Sequence, residues 1–465
     1  MATNGDVLKR GIFSVLLANL INLVINLLTN FIMPKYLSVD SYAAIKTYQL
    51  YISYAGVISL GFVDGMFLKY GGVEFEKLDK NDLNVNLSSF RIFQIVATII
   101  MLLMCIFIRD NVFIAFVLTV LPVNMAGYFR SLYQSIGEFQ KYSKIMNATT
   151  GLTFIANVFL LFIVKTDDYS KYLFLYVLID IVIWIMLEVF LVKSCKYKFK
   201  YLLFSFRETI VNIKDGILLM LGNFSNTILT SMDRWFIKIL MDNVAFAQYS
   251  FACSMENFVN VAVTPITVTL YNYFCRVKDQ KQIKRIRNMV ILFASFLIIC
   301  AFPGKFILET FLVKYYEATK VMFYLFDAQL FYIIIKSIYV NLYKAQHKQK
   351  RYFIELIIVI GVGFVFNVVC YLIMHQKESF AVGTLLSAVF WLLLSARDFP
   401  WLKYSVKEIC FIVIVASTFL FYGYELESII GFFAYLFTVI IAALILMKDD
   451  FIDFIKTVCG MLKIK

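Results

Sequence analysis

Fourteen apolar stretches, most about 17–25 residues long, divide this chain from end to end. They lie near 11–33, 42–65, 89–108, 112–130, 142–164, 171–193, 212–238, 245–273, 288–304, 319–343, 351–373, 379–396, 405–424 and 428–447. At roughly 1.5 Å of rise per residue, each is long enough as a helix to cross about 30 Å of hydrocarbon. None shows the strict alternation over about ten residues that marks a membrane β-strand. The first stretch is too long for a signal-peptide core and no small-residue cleavage site follows it, so it is expected to remain as a helix. Composition agrees. Of the 465 residues, 61% are hydrophobic and 16% charged, against about 45–50% and about 25% in soluble domains. A soluble fold of this length has no interior large enough to hide that apolar surface. The expected fold class is an all-α polytopic membrane protein with about 14 transmembrane helices.

Charge sets an expected orientation. With the N-terminus cytoplasmic, the segments on that side together with the helix ends bordering them hold 32 of the 44 Lys and Arg residues. The opposite side holds 8, namely Lys35, Arg109, Lys165, Lys171, Lys305, Lys314, Lys320 and Lys377, and Lys46, Arg234, Lys238 and Lys336 lie within spans. This imbalance is a positive-inside signal that puts both termini in the cytoplasm. It also accounts for the net charge of +13 without nucleic acid, because the basic loops face anionic lipid headgroups. The two histidines, His347 and His375, leave little for a His-based metal or catalytic centre, and the eight cysteines contain no CxxC pair. They read as small buried hydrophobes. No metal, cofactor or catalytic residue is expected, and the chain does not read as an enzyme.

An internal repeat relates the two halves. At a constant offset of 210, Tyr133, Lys141 and Tyr142 match Tyr343, Arg351 and Tyr352, while Gly151, Phe154, Asn157 and Val158 match Gly361, Phe364, Asn367 and Val368. At an offset near 204, Asn19 and Asn22 fall on Asn223 and Asn226. Six spans separate the equivalents, so both copies enter the membrane in the same direction, a parallel repeat about the membrane normal. The expected organisation is a six-helix lobe over 1–193, a cytoplasmic linker at 194–211, a second six-helix lobe over 212–396, and two appended helices with a tail over 397–465.

Polar residues inside the spans fall into stripes. Asn19, Asn22, Asn26 and Asn30 are spaced three, four and four, which puts them on one helical face. The seventh span carries Asn223, Thr227, Thr230, Arg234 and Lys238 at similar spacing, with Asn226 beside them. The second adds Lys46, Gln49 and Ser53, and the eighth adds Glu256, Asn257, Asn260 and Thr264. Asn and Thr alone serve as interhelical glue. Charges on the same stripes point instead to a water-filled central cavity, because unpaired charge in hydrocarbon is expensive. Lys46, Arg234, Lys238 and Lys336 oppose Asp64, Asp233, Glu256 and Asp327. Lys46 and Lys238 near the outer helix ends, and Lys336 towards the inner side, also suit snorkelling to headgroups. Arg234 lies deeper, and its planar fork matches phosphate oxygens.

Several short motifs carry a resemblance. Ser231-Met232-Asp233-Arg234, followed by Gln248-Tyr249-Ser250 and Ala252, resembles the seventh-to-eighth-helix region of bacterial oligosaccharide flippases. Lys9-Arg10-Gly11 through Asn19, then Pro34-Lys35-Tyr36-Leu37 and Tyr42, is similar to their first hairpin, and Gly61-Phe62-Val63-Asp64-Gly65 with Lys69-Tyr70 to the end of their second helix. The resemblance covers essentially the whole chain and points to Wzx-type flippases of the multidrug/oligosaccharidyl-lipid/polysaccharide (MOP) exporter superfamily. Ala247-Gln248 before Tyr249 and Ser41 before Tyr42 depart from the common pattern, in which a glycine precedes the tyrosine. The resemblance implies a MATE/MOP-like fold in the bacterial inner membrane. It also implies alternating access, with an undecaprenyl-diphosphate-linked oligosaccharide as an anionic lipid-linked substrate. The diphosphate would meet cavity cations and the sugar the hydrated lumen. Implied too are coupling to a proton or sodium gradient through Asp64, Asp233 or Glu256, and a polysaccharide polymerase and chain-length regulator as partners.

Three other classes compete with this one. A multidrug exporter of the same superfamily would share the fold but suit twelve helices and a more acidic cavity. A membrane glycosyltransferase, polymerase or ligase needs catalytic residues on a sizeable external loop, and the longest external segment, about 305–318, carries only Glu309 and Glu317 as acids. An ATP-driven pump needs a GxxxxGK[ST] loop in this chain or a partner. None occurs here, since Gly304-Lys305 lacks both the upstream glycine and the following Ser or Thr.

Overall fold

The computed structural model describes residues 21–136, 138–195 and 203–463, and their regular structure is helical throughout. Asn19 and residues 196–202 of the expected linker lie outside the described residues. Contacts divide the chain into two units, Met1–Ile228 and Leu229–Lys465.

In the first unit, residues 21–36 form α1. It is followed by α2 (Val39–Ile52), α3 (Phe62–Lys69), α4 (Lys80–Ile108), α5 (Asn111–Ser135), α6 (Phe139–Val158), α7 (Tyr169–Cys195) and the opening turns of α8 (Phe206–Leu240). The second unit takes the remainder of α8, then α9 (Asn243–Arg276), α10 (Gln280–Leu297), α11 (Ala301–Thr310), α12 (Thr319–Ile334), α13 (Val340–Ala345), α14 (Gln349–Met374) and α15 (Glu378–Asp398). It closes with α16 (Val406–Glu425), α17 (Ser428–Leu446) and α18 (Lys448–Lys463).

Short polar side chains start many of these helices. Ser38, Asp79, Asp110, Asp242 and Asp279 each accept a backbone N–H from the first turn. Ser405 and Glu408 form a reciprocal capping box at α16. Each satisfies N–H groups that the helix itself leaves without partners.

Among the described residues, eleven helical runs are long and apolar enough to cross a membrane, or twelve if the broken pair α2–α3 counts as one span. This is a multi-pass membrane protein. Of the fourteen expected spans, the first lies partly outside the described residues. The seventh corresponds to α8, which does not meet the same standard of apolarity, diluted as it is by Asn223, Asn226, Asp233, Arg234 and Lys238.

The second span, expected as one helix, is broken. A turn over Ala55–Ser59 and two left-handed residues, Leu60 (φ 49°) and Gly61 (φ 84°), separate α2 from α3, which diverge by 61°. The first half of α8 packs against the start of α3. A Cβ on Gly65 would stand 2.0 Å from the Asn212 carbonyl oxygen, and one on Gly216 would stand 2.0 Å from that of Gly61. Only glycines let these two backbones touch. The ninth and tenth spans are longer than expected, and what read as an external loop at 305–318 begins as helix α11 and continues as a 3-10 turn over Val313–Ala318.

The packing pairs of the two units correspond. In the first, α5 lies against α2, α4 and α7, and α6 lies against α7; in the second, α12 lies against α9, α10 and α15, and α14 against α15. This is the pattern that a six-helix repeat requires. Rings of Phe62, Phe90 and Tyr128 stack through the first unit's core at centroid distances of 4.9 and 5.4 Å. The appended helices α16 and α17 pack on each other and against α10, α11 and α12. The amphipathic α18 rests on α10, where Phe296 stacks between Phe451 and Phe454 and Arg285 pairs with Asp453 at 2.5 Å.

Candidate binding site

Helices α8, α9, α12 and α15 of the second unit surround a cavity of about 80 Å³. Thr230, Asp233 and Arg234 reach it from α8, and Glu256, Asn257 and Asn260 from α9. Lys336 joins them from a π-helical turn, Ile335–Tyr339, that follows α12. A π turn shifts the register of the residues after it, and such turns occur often at functional sites. Here it sets a lysine into the pocket wall one turn after Tyr332. Gln329, Tyr332, Thr384 and Trp391 complete the polar and aromatic lining.

Hydrogen bonding separates the pocket's four charges. Asp233 is buried, and its Oδ2 accepts the Tyr249 hydroxyl at 2.6 Å while its Oδ1 accepts the Arg234 backbone N–H at 2.8 Å. Glu256 accepts the side-chain amide of Gln329. Both carboxylates therefore have neutral donors. Arg234 spends one guanidinium N–H on the Thr230 carbonyl at 3.3 Å, and its buried Nε has no partner. Lys336 Nζ lies 5.4 Å from the centre of the Tyr332 ring. Among the described residues, no carboxylate oxygen lies within 4.0 Å of either cation. Two cations with unspent donors in one pocket form an anion-binding arrangement.

The other expected residues are placed as follows. Lys238 lies outside the cavity lining, donates to Asn243 Oδ1 at 3.3 Å and sits 5.3 Å from the Phe246 ring at the α8–α9 turn. In the first unit, Lys46 donates to Asn30 Oδ1 at 2.9 Å and lies 5.3 Å from the Tyr42 ring. Asn30 in turn donates to the Asn26 carbonyl at 2.9 Å. Asn22 is buried with its Oδ1 unpartnered, whereas Asn26 and Gln49 are exposed. Asp64, in the first turn of α3, meets Asn223 of α8 at 3.5 Å, and Thr227 bonds back to the Asn223 carbonyl at 3.1 Å. Thr230, Asp233, Arg234, Glu256, Asn257, Asn260 and Lys336 are thus brought together, while Lys46, Asn30, Asp64 and Asn223 form separate pairs in the first unit.

Sequence reasoning missed Gln329, Tyr332, Thr384 and Trp391. Tyr332 and Trp391 read as ordinary members of apolar runs. Gln329 is a lone amide four residues from no other polar group of its kind, although Asp327 close by marks α12 as more than a lipid-facing helix.

No protein-family model and no curated protein matches this sequence. Solved structures match it in fold. Lipid II flippase MurJ, in an inward closed conformation, superposes over 95% of this chain and 99% of its own with a TM-score of 0.57 at 12% identity. This chain has the same fold. An inward-facing multidrug resistance MATE family transporter of the MOP superfamily superposes over 84% of this chain and 96% of its own, with a TM-score of 0.50 at 10% identity. The expected MATE/MOP-like architecture is therefore the observed one.

Proposed function

We propose that this protein is a flippase. In this reading it moves an undecaprenyl-diphosphate-linked oligosaccharide from the cytoplasmic to the outer leaflet by alternating access, supplying synthesis of an O-antigen, capsule or exopolysaccharide. The observation that carries the reading is the pair of cations, Arg234 and Lys336, that share a pocket without a carboxylate partner among the described residues. Volume supports one part of the substrate over the others as the pocket's occupant. At roughly 10–15 Å³ per water, a cavity of about 80 Å³ admits a handful of waters or a phosphate-sized group, and not an oligosaccharide. The pocket therefore takes the diphosphate. The sugar stays outside this pocket, and the polyprenyl chain stays in lipid.

The fold shared with a lipid II flippase supports a lipid-linked cargo, and the uneven distribution of Lys and Arg supports cytoplasmic termini in the bacterial inner membrane. Asp64, Asp233 and Glu256 are the acids proposed to couple a proton or sodium gradient. A polymerase and chain-length regulator are the proposed partners, because the delivered unit must be joined to others outside. On this reading the protein transports and performs no catalysis.

Glu256 in the same pocket favours one rival, a multidrug exporter that binds organic cations. Ligand-induced thermal protection of the purified protein distinguishes them. A short-chain polyprenyl diphosphate carrying a sugar is expected to raise the unfolding temperature, and organic cations are not. Protection by cations alone would reverse the assignment.

A further inference from the structure

One carboxyl lies behind a wall of the pocket, away from its charged groups. Glu355, near the start of α14, is 2% exposed. Its Oε1 accepts the Trp391 indole N–H at 2.7 Å and contacts the Ser395 hydroxyl, and its Oε2 contacts the Tyr343 hydroxyl. Tyr343 Oη also lies 2.9 Å from Asp398 Oδ2. Arg351 clamps Asp398 through both oxygens, Nε to Oδ2 at 2.5 Å and Nη2 to Oδ1 at 2.8 Å, and its side chain is 49% exposed.

Counting hydrogens decides what this chain of oxygens requires. A phenol carries one hydrogen, yet Tyr343 stands between two carboxyl oxygens. If both carboxyls were ionised, one contact would set oxygen against oxygen with no hydrogen between. A further proton is needed. The bidentate guanidinium holds Asp398 as a carboxylate, so the proton resides on Glu355. The helices packed here against α14 agree. They present Tyr343 from α13 and Trp391, Ser395 and Asp398 from α15, and Tyr352 stands on α14 itself. Among the described residues, no cation lies within 4.0 Å to compensate a buried charge on Glu355.

We propose that Glu355 is a proton-loading site, filled and emptied through Tyr343 and Asp398, whose load is transmitted to the binding pocket by Trp391. On unloading, the Glu355 O–H bond breaks and a new one forms at Tyr343 Oη. The original phenol hydrogen passes to Asp398 Oδ2 and from there to water beside Arg351. The unloaded carboxylate draws the indole N–H harder than the neutral acid does, because ionised acceptors make the stronger bond. Trp391 lines the pocket and packs edge-on to Tyr332 at 6.0 Å, and Lys336 rests on the Tyr332 ring. The proton is thus felt at one of the two cations that bind the anion. The proton site itself does not depend on the cargo; only its role in transport rests on the flippase reading.

The test uses the full chain in lipid nanodiscs with Trp391 as the sole tryptophan, after Trp184→Phe, Trp235→Phe and Trp401→Phe. Its fluorescence is followed from acid to alkaline pH without substrate. A sigmoidal transition is expected, together with its loss in Glu355→Gln. Tyr343→Phe keeps the indole bond but removes the relay, so its transition is expected at a different pH, which covers the case in which Glu355→Gln fails to fold. A flat parent trace, the same transition in Glu355→Gln, or an unmoved transition in Tyr343→Phe overturns the proposal. A normal titration in a protein that moves no lipid-linked sugar supports the proton site and counts against the flippase.

Discussion

Replacing Arg234 by alanine removes one of the two cations of the pocket while leaving its surroundings largely supported. The side chain makes one weak bond, 3.3 Å to the Thr230 carbonyl, and its Nε is unpartnered. Little hydrogen bonding is therefore lost within the protein. Asp233 keeps the Tyr249 hydroxyl at 2.6 Å and the backbone N–H of residue 234 at 2.8 Å. What disappears is the fork available to an anion. Charge-assisted hydrogen bonds contribute about 1.5–3 kcal/mol each, so affinity for a diphosphate-linked ligand is expected to fall by about one to two orders of magnitude. Arg234→Lys is expected to recover only part of this loss, because a point charge replaces a bidentate donor. The assay is equilibrium binding of a short-chain sugar-linked polyprenyl diphosphate to purified protein, alongside membrane level and thermal midpoint. Unchanged affinity in Arg234→Ala at normal expression would remove this residue from the site. Loss of protein level, restored when Glu256 is neutralised as well, would instead make Arg234 a structural counter-charge.

Three further outcomes are expected. Arg287 is fully buried, pairs with Glu408 at 2.6 Å, donates to the Leu402 carbonyl at 2.7 Å and stacks 4.2 Å from the centre of the Tyr404 ring. Arg287→Met strands a buried carboxylate and should destabilise by about 3–5 kcal/mol, with much of that regained on adding Glu408→Met, as read from thermal unfolding. Glu208, at the start of α8, would be raised by burial alone, but donors from Lys69, Asn86 and Asn212 outweigh this and hold its carboxyl below the ordinary value. Its contribution is therefore present above the ordinary carboxyl pKa and lost as pH falls through the lowered one. Thermal midpoints should fall with acidification less in Glu208→Gln than in the parent. For orientation, an impermeant thiol reagent on spheroplasts should label cysteines placed at Asp168 and Glu425 but not at Lys281, and labelling at Lys281 in sealed cells contradicts the topology.

How much of this was legible in the sequence follows from what each signal measures. Span length and hydropathy report the solvent, so the all-helical membrane class and most helix positions were readable. Local backbone events were not: α2 and α3 are separated by the left-handed Leu60 and Gly61, and Gly65 and Gly216 let α3 and α8 touch, a contact between residues about 150 positions apart. The α8 and α9 stripes led to five pocket residues, Thr230, Arg234, Glu256, Asn257 and Asn260, because helical spacing fixes which residues share a face. Trp391 and Tyr332 gave no such signal, since an aromatic in an apolar run is the ordinary membrane residue. Glu355 did carry one, as an acid within the eleventh span. Its importance lies in Tyr343, Trp391 and Ser395 converging on it from two other helices. Lys305, which read as an external-loop charge, is 3% exposed and donates to the Gly423 and Leu426 carbonyls at 2.9 and 2.6 Å. It holds the end of α16, and the sequence has no local pattern for such a contact.

Transbilayer movement of the cargo itself tests the central claim most directly. Purified protein is reconstituted into liposomes containing a fluorescent sugar-linked polyprenyl diphosphate, and a membrane-impermeant reagent quenches the label in the outer leaflet. The account predicts that the protein makes the inner-leaflet pool accessible over time. It also predicts that Arg234→Ala or Lys336→Ala, reconstituted at equal density, slows this sharply. An inner pool that stays protected with wild-type protein, while the same vesicles transport organic cations, would contradict it.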